Sequence, residues 1–497
     1  MALSQAPQVS GLESAPRHAL LDSSFGSHQQ NTLCCHLDPK CRIGCALIFE
    51  LVREQPMLIV KEFDPSWSGP IAKKANFHMS NVPFWYRFAP FLGRPPELSK
   101  HQWKLLGLLS AVSFFEQYDM YLFSLNLTKI QAELLIAESD VGFLGAFVRA
   151  GSFLAVFLAI AADRYGRRLI LLITVVGYTL FTGATALSPN AETFVVFQML
   201  ARCFGTAEVL IAAVVIAEEF SPKHRGWGIG ALGAVAACGS GFAAVMFGFV
   251  DYVPYGWRSL YAIGLIPLLF IAYWRHSLPE TEQFRAEVQV HEPVMQNIID
   301  LFTHLPKRTI GLFGAVFALM LAGSTAAFFA PKYLLDVHGW EPSNVAMLNL
   351  AGGALAIVGN PLAGWLSDRV GRRPVTILFT GLFALAALTF YALGGVFVPF
   401  LWVGLIFFLM GSEVTTRSYG TELFPTRYRS TATGFFAIVA TASGILGLTA
   451  VSLLYTVFES NWTSIAVLCA ISLVAPVMVW LFLPETAGKR LAEISPD

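Results

Sequence analysis

Seven ionisable side chains fall inside long apolar stretches of this 497-residue chain: Glu116, Asp119, Arg149, Arg202, Glu208, Glu413 and Arg417. A charge in hydrocarbon-like surroundings costs roughly 3 kcal/mol and persists where it meets an opposite charge, a proton or a ligand. Glu116 and Asp119 are three residues apart and share one face of a helix. Two carboxylates so placed repel, and a bound proton relieves the repulsion. That is the chemistry of a proton-loading group. Glu116 can serve as a second proton site or simply face the headgroups. Glu413 and Arg417 are four apart. They can pair within one helix, or Arg417 can face a cavity and hold a carboxylate. Arg149, Glu208, Ser324, Thr325 and Asn349 are the other polar candidates for such a cavity. The aromatic set Phe114, Phe115, Tyr118 and Tyr121 can stack a ring, or can merely pack or meet lipid. No His lies within these stretches, and His338 falls outside them. With no nucleophile–base pair, metal cluster or Gly-Lys-Ser/Thr phosphate loop in view, enzyme chemistry, ATP drive, cofactors and metals are not expected.

The surrounding elements must be membrane spans. Hydrophobic residues make up 55% of the chain and Asp, Glu, Lys and Arg only 13%, against roughly 25% charged in soluble domains. Lys plus Arg equals Asp plus Glu, so no basic face for nucleic acid is implied. Seven Cys are too few for a disulfide scaffold.

A helix needs about 20 apolar residues to cross a bilayer. Twelve such runs are predicted, at 105–127, 141–162, 169–187, 193–217, 228–250, 258–274, 309–333, 344–366, 375–394, 398–419, 430–456 and 463–483. They are too long for barrel strands and lack alternation. The even-numbered links between them hold 14 Lys and Arg, and the odd-numbered links, counted with the adjoining span ends, hold 3 (Lys129, Arg258 and Lys332). Positive charge marks the cytoplasmic side. Even links and both termini are therefore expected in the cytoplasm.

Four features recur at nearly constant offset. Asp163-Arg-Tyr-Gly-Arg-Arg168 returns 205 residues later as Asp368-Arg-Val-Gly-Arg-Arg373. Leu278-Pro-Glu-Thr281 returns as Leu483-Pro-Glu-Thr486, and Trp257 as Trp462, both 205 later. Glu219-Phe-Ser-Pro222 returns 203 later as Glu422-Leu-Phe-Pro425. An even number of spans separates the copies, so the repeats are parallel, as in transporters doubled about an axis along the membrane normal.

On these motifs the chain resembles the major facilitator superfamily. Its Pro-Glu-Thr segments resemble the sugar-porter branch and its metabolite:proton symporter relatives. The run from Tyr419 to Gly434 resembles organic-ion, aromatic-acid and nicotinate-type carriers. The resemblance implies an all-α membrane fold of two six-helix bundles, not an enzyme, moving a small solute by alternating access. It implies that the charged links latch the two halves on the cytoplasmic face. The residues concerned are Asp163, Arg164, Gly166, Arg167, Arg168, Glu219 and Arg225, then Asp368, Arg369, Gly371, Arg372, Arg373, Glu422 and Arg429. It also implies that Asp119 carries a coupling proton with Arg202 as counter-charge. Glycines at 166 and 371 suit tight reversals. Asp163 and Asp368 can accept from helix N-terminal amides or pair with Arg. Sugar porters carry Gln and Asn in span 7 and Gln in span 5; here span 7 lacks them and span 5 is Gly- and Ala-rich. A small organic ion or aromatic metabolite is therefore the expected substrate, with a sugar, or a solute receptor that does not transport, as alternatives.

The expected organisation is an N-terminal extension (1–100), a first bundle (101–274), a linker (275–308), a second bundle (309–483) and a tail (484–497). The extension is expected to be cytoplasmic and largely disordered, with no signal-peptide pattern and with Met79 as an alternative start. Cys34, Cys35, His36, Cys41 and Cys45 fit no zinc spacing. The expected state is a monomer in the cell (plasma or inner) membrane.

Overall fold

The computed structural model describes residues 82–275, 294–392, 397–489 and Ile494, all in helices, turns and loops with no strand among them. The helices are α1 (Lys100–Leu125), α2 (Leu127–Glu133), α3 (Val141–Tyr165), α4 (Arg167–Ala186), α5 (Ala191–Glu219), α6 (Arg225–Gly248) and α7 (Trp257–Arg275). They continue with α8 (Val294–His304), α9 (Pro306–Asp336), α10 (Pro342–Val370), α11 (Arg372–Ala392), α12 (Val398–Glu422), α13 (Thr426–Phe458), α14 (Asn461–Ile471) and α15 (Val474–Phe482). Among the described residues eleven helical stretches are long and apolar enough to cross a membrane, with α14 and α15 counted as one. The predicted first span is α1, whose Lys104, Glu116 and Asp119 make it more polar than the others. The Cys34–Cys45 cluster, the first Leu-Pro-Glu-Thr copy, Arg285 and half of the tail lie outside the described residues.

Most helices begin a few residues before the apolar windows, and three of them carry side-chain N-caps. Ser99 and Gln102 form a reciprocal capping box on α1, Asn190 caps α5 and Ser460 caps α14. Residues 82–99, part of the extension expected to lack structure, fold into two short 3-10 turns. Trp85 and Tyr86 there pack edge-on against Trp103 of α1, which meets Trp227 of α6. Burying four large rings supplies the contact area that ordering this segment requires.

α1 packs on α6, α3 on α5, and α4 on α5 and α7. Their counterparts do the same: α9 on α13, α10 on α12, and α11 on α12 and on α14 and α15. The sequence repeat is thus a packing repeat. Between the two sets, α3 meets α13 and α6 meets α10, which is one contact with the copies exchanged. Backbones touch at this seam: a Cβ on Gly142 would strike the Leu448 carbonyl, and Phe143 N donates to Ser452 Oγ at 3.0 Å.

One end of the molecule is sealed across the two sets. Lys332 of α9, 1% exposed, donates to Gln131 at 2.6 Å and to Glu138 at 2.9 Å, both from the first set, and also binds Asp336. Asn461 donates to Glu138, Thr128 to Asp336 and Ser124 to the Phe328 carbonyl. At the opposite, Arg-rich end, Gly166 (φ 102°) alone separates α3 from α4, and Gly371 (φ 129°) alone separates α10 from α11. These left-handed positions turn the chain within one residue.

Candidate functional site

Glu116 and Asp119 project from α1 toward α5, where they meet different partners. Arg202 Nη1 donates to Glu116 Oε1 at 2.7 Å, and both side chains are largely buried. Asp119, 6% exposed, accepts from Gln198 Nε2 at 3.5 Å, and Gln198 also reaches Thr185 Oγ1. The expected Asp119–Arg202 ion pair is therefore replaced by Glu116–Arg202. The reason is register. Asp119 lies three residues beyond Glu116, while Gln198 lies four before Arg202 on a helix running the other way. Each step is about one helical turn, so the two pairs stack. Gly205 completes the fit, since a Cβ there would meet Glu116 Cγ at 2.9 Å.

Across the seam, Arg149 of α3 lies against Gly444 of α13 and near Ser324 of α9. A Cβ on Gly444 would sit 2.7 Å from Arg149 Nε and 2.9 Å from Ser324 Oγ. Among the described residues no carboxylate pairs with the Arg149 guanidinium, which lies within electrostatic reach of Arg202 and of Glu413. Glu413 and Arg417 of α12 do pair, loosely, at 3.7 Å, and the Arg417 guanidinium lies 5.4 Å from the Phe436 ring centre. Tyr121 shares the electrostatic environment of Glu413. The site thus joins Glu116, Asp119 and Arg202 from the first set to Ser324, Glu413 and Arg417 from the second, with Arg149 between them. Arg149 is eight residues into α3 and Arg202 eleven into α5. At 1.5 Å per residue these lie about 12 and 16 Å inside the sealed end.

Four expected cavity residues are engaged elsewhere. Glu208, fully buried, accepts from Thr174 Oγ1 at 2.5 Å between α5 and α4. Tyr118 spends its hydroxyl on the Leu260 carbonyl at 2.8 Å. Thr325 donates back to Leu321 and Asn349 back to Val345, within their own helices. A buried polar group must find a partner, and for these four the nearest partner lies inside the bundle or the helix.

Among the described residues, the contacts shown at the Arg-rich end run inside each set, where a latch between the sets was expected. Arg167 pairs with Asp163 at 3.2 Å and with Glu218, the neighbour of the predicted Glu219. Glu219 accepts Gln102 Nε2 on its carbonyl, and Arg225 Nε donates to the Phe220 carbonyl. Arg372 pairs with Asp368 at 2.6 Å and Glu422 at 2.9 Å, and Thr486 Oγ1 donates to Glu422 at 2.6 Å. Arg429 lines the same polar recess. Arg164 and Arg369 lie over Tyr165 and Trp365, Arg373 donates to the Trp480 carbonyl, and Arg168 is exposed. A single-residue break keeps Asp and Arg one turn apart, so each guanidinium finds a local carboxylate first. The N-terminal amides of α11 are capped not by Asp368 but by Glu485 of the second Pro-Glu-Thr, at 2.8 Å to Arg372 N and 3.1 Å to Arg373 N.

Sequence reasoning missed Gln198, Glu218, Glu485, Gly444 and the Lys332 cluster. The recurrence of Pro-Glu-Thr did signal Glu485, but not its role.

The doubled helical bundle, with charges gathered at mid-depth between its halves, defines a class of multi-pass membrane transporters. The sequence profile of the Major Facilitator Superfamily matches residues 109–420, and the chain belongs to that family. It is 26% identical over 431 residues to a probable 4-methylmuconolactone transporter of Cupriavidus pinatubonensis, covering 82% of this chain and 95% of that one. It is 27% identical over 368 residues to the cis,cis-muconate transport protein of Acinetobacter baylyi, covering 68% and 84%. In fold it is similar to the inward-open xylose transporter XylE from E. coli, with TM-score 0.62, 17% identity and coverage of 79% and 99%. The protein is a transporter and not an enzyme.

Proposed function

We propose that this transporter carries a small organic carboxylate, aliphatic or aromatic, by proton-coupled symport. The observation that supports this reading above others is Arg149. It is a guanidinium at mid-depth, between the two helix sets, paired with no carboxylate among the described residues. Leaving a partly buried cation unpaired is costly, and a substrate anion removes that cost. Relatives named for muconate and methylmuconolactone transport fit an acidic cargo. Thr325 and Asn349, two groups a hexose could use, are instead satisfied within their own helices.

Asp119 is the proton carrier in this reading, with the Glu116–Arg202 pair as the charged neighbour that feels its ionisation. The bundles are residues 101–274 and 309–483, joined by the linker 275–308. With the Arg-rich links in the cytoplasm, the seal around Lys332 closes the outer end and the molecule faces inward. Protons and substrate leave on that side, and reloading requires the outer seal to part. The chain works as a monomer in the plasma or inner membrane, both termini inside.

The test is uptake of labelled cis,cis-muconate and benzoate by proteoliposomes under an imposed inward proton gradient. Accumulation that collapses with a protonophore and is lost in Arg149→Gln supports the reading. Binding without accumulation points instead to a receptor, and accumulation unaffected by Arg149→Gln removes the carboxylate assignment.

A further inference from the structure

We propose that the central site is charge-matched to one monocarboxylate per proton, and that Glu413 sets this valence. The inference deepens the carboxylate reading above and rests on it.

The charges that meet at the site can be counted. Arg149, Arg202 and Arg417 supply three positive charges, and Glu116 and Glu413 supply two negative ones. The balance is one positive charge, and it resides on Arg149. Asp119 accepts from Gln198 beside the Glu116–Arg202 pair and enters the count through its proton. With Asp119 protonated, one carboxylate brings the site to neutrality. With substrate and proton both gone, the Asp119 carboxylate offsets Arg149, and the sum is again zero. The loaded and empty sites are therefore both neutral while the bundles move past each other through a low-dielectric core, where uncompensated charge is penalised. A dicarboxylate leaves one negative charge over in the loaded form. The phenols of Tyr121 and Tyr178, like any phenol at neutral pH, add no charge. Glu208 is held by Thr174 within the first bundle.

Glu413 is the group on which this selectivity turns. It lies on α12, 3.7 Å from Arg417, and its charge is also felt by Arg149 across the seam. It therefore screens both guanidiniums that an extended dianion would use. An amide in its place leaves two positive charges in the protonated site before substrate binds, the number a dicarboxylate neutralises, and removes the carboxylate that would repel a second carboxylate on the substrate. Specificity built by such repulsion is lost when the repelling group is neutralised.

The experiment uses the full chain in proteoliposomes, with benzoate as monocarboxylate and cis,cis-muconate as dicarboxylate. At neutral pH the wild type takes up benzoate in preference. In Glu413→Gln the muconate-to-benzoate uptake ratio rises about tenfold or more, the size of one like-charge contact, while Glu413→Asp keeps the wild-type preference. A ratio unchanged or lowered in Glu413→Gln overturns the proposal. Should Glu413→Gln not fold, the wild type still decides: proton-driven benzoate uptake is indifferent to a clamped potassium diffusion potential if the cycle is electroneutral, and a steep dependence refutes it. If both acids are carried in an Arg149-dependent way but their ratio ignores residue 413, only this inference falls. If neither is carried, the carboxylate reading falls with it.

Discussion

Replacing Lys332 by Met should open the sealed end. The ammonium is 1% exposed and joins the two helix sets through Gln131 and Glu138, with Asp336 as its partner on α9. A hydrogen bond from a charged group to a neutral one contributes about 1.5 kcal/mol here. The Glu138 carboxylate is 44% exposed, so its pairing is discounted for solvent to about 1 kcal/mol. Of the Lys332 contacts only these two cross the seam, so the sealed form loses roughly 2.5 kcal/mol relative to the parted form. At 1.4 kcal/mol per tenfold this shifts the equilibrium by about 60-fold. Spin labels at Tyr252 and Val457, exposed positions on the two sets near this end, report the change as a growing long-distance population in double electron–electron resonance. Met fills the aliphatic volume, so the bundles themselves should fold. If the distance distribution of Lys332→Met matches that of the wild type, the cluster is not a seal and the argument from its burial is wrong.

Other consequences are open to direct measurement. Asp119→Asn should abolish accumulation driven by a proton gradient yet retain exchange of labelled for unlabelled substrate, because the Glu116–Arg202 pair at 2.7 Å stays intact; loss of both activities in a folded variant removes Asp119 from the coupling role. Gly444→Ala should push the Arg149 guanidinium from its place and raise KM several-fold with a smaller change in kcat, since a Cβ would lie 2.7 Å from Nε; an unchanged KM shows that Arg149 does not position substrate. Glu485→Ala strips the cap from α11 and should cost about 1 kcal/mol, read as a fall in thermal midpoint that Glu485→Asp only partly restores.

The spans, their repeat and the depth of the buried charges were legible because they are written in local composition and in the spacing of Gly, Pro and Arg. The repeat reappears in space as matching packing partners, α3 with α5 and α10 with α12. Which carboxylate meets which guanidinium was not legible. Glu116 and Asp119 share a face, so the choice of Arg202's partner depends on the rotation and height of α5 against α1, and only Gly205 hints at it. Glu208 reads as a cavity residue by depth, but helix rotation points it at Thr174. Lys332 reads as a loop charge at the edge of a span, yet α9 runs on to Asp336 and buries it. Gly444 carries no chemistry of its own and becomes visible only when Arg149 is seen against it.

Proton movement accompanying substrate entry tests the account most directly. Proteoliposomes loaded with a pH-sensitive dye, with no gradient imposed, should acidify inside when benzoate is added outside. The acidification should depend on Asp119 and on Arg149 and should match the labelled benzoate taken up, one proton for each anion. Benzoate entering with no change in internal pH, or entering equally well in Arg149→Gln, contradicts the account.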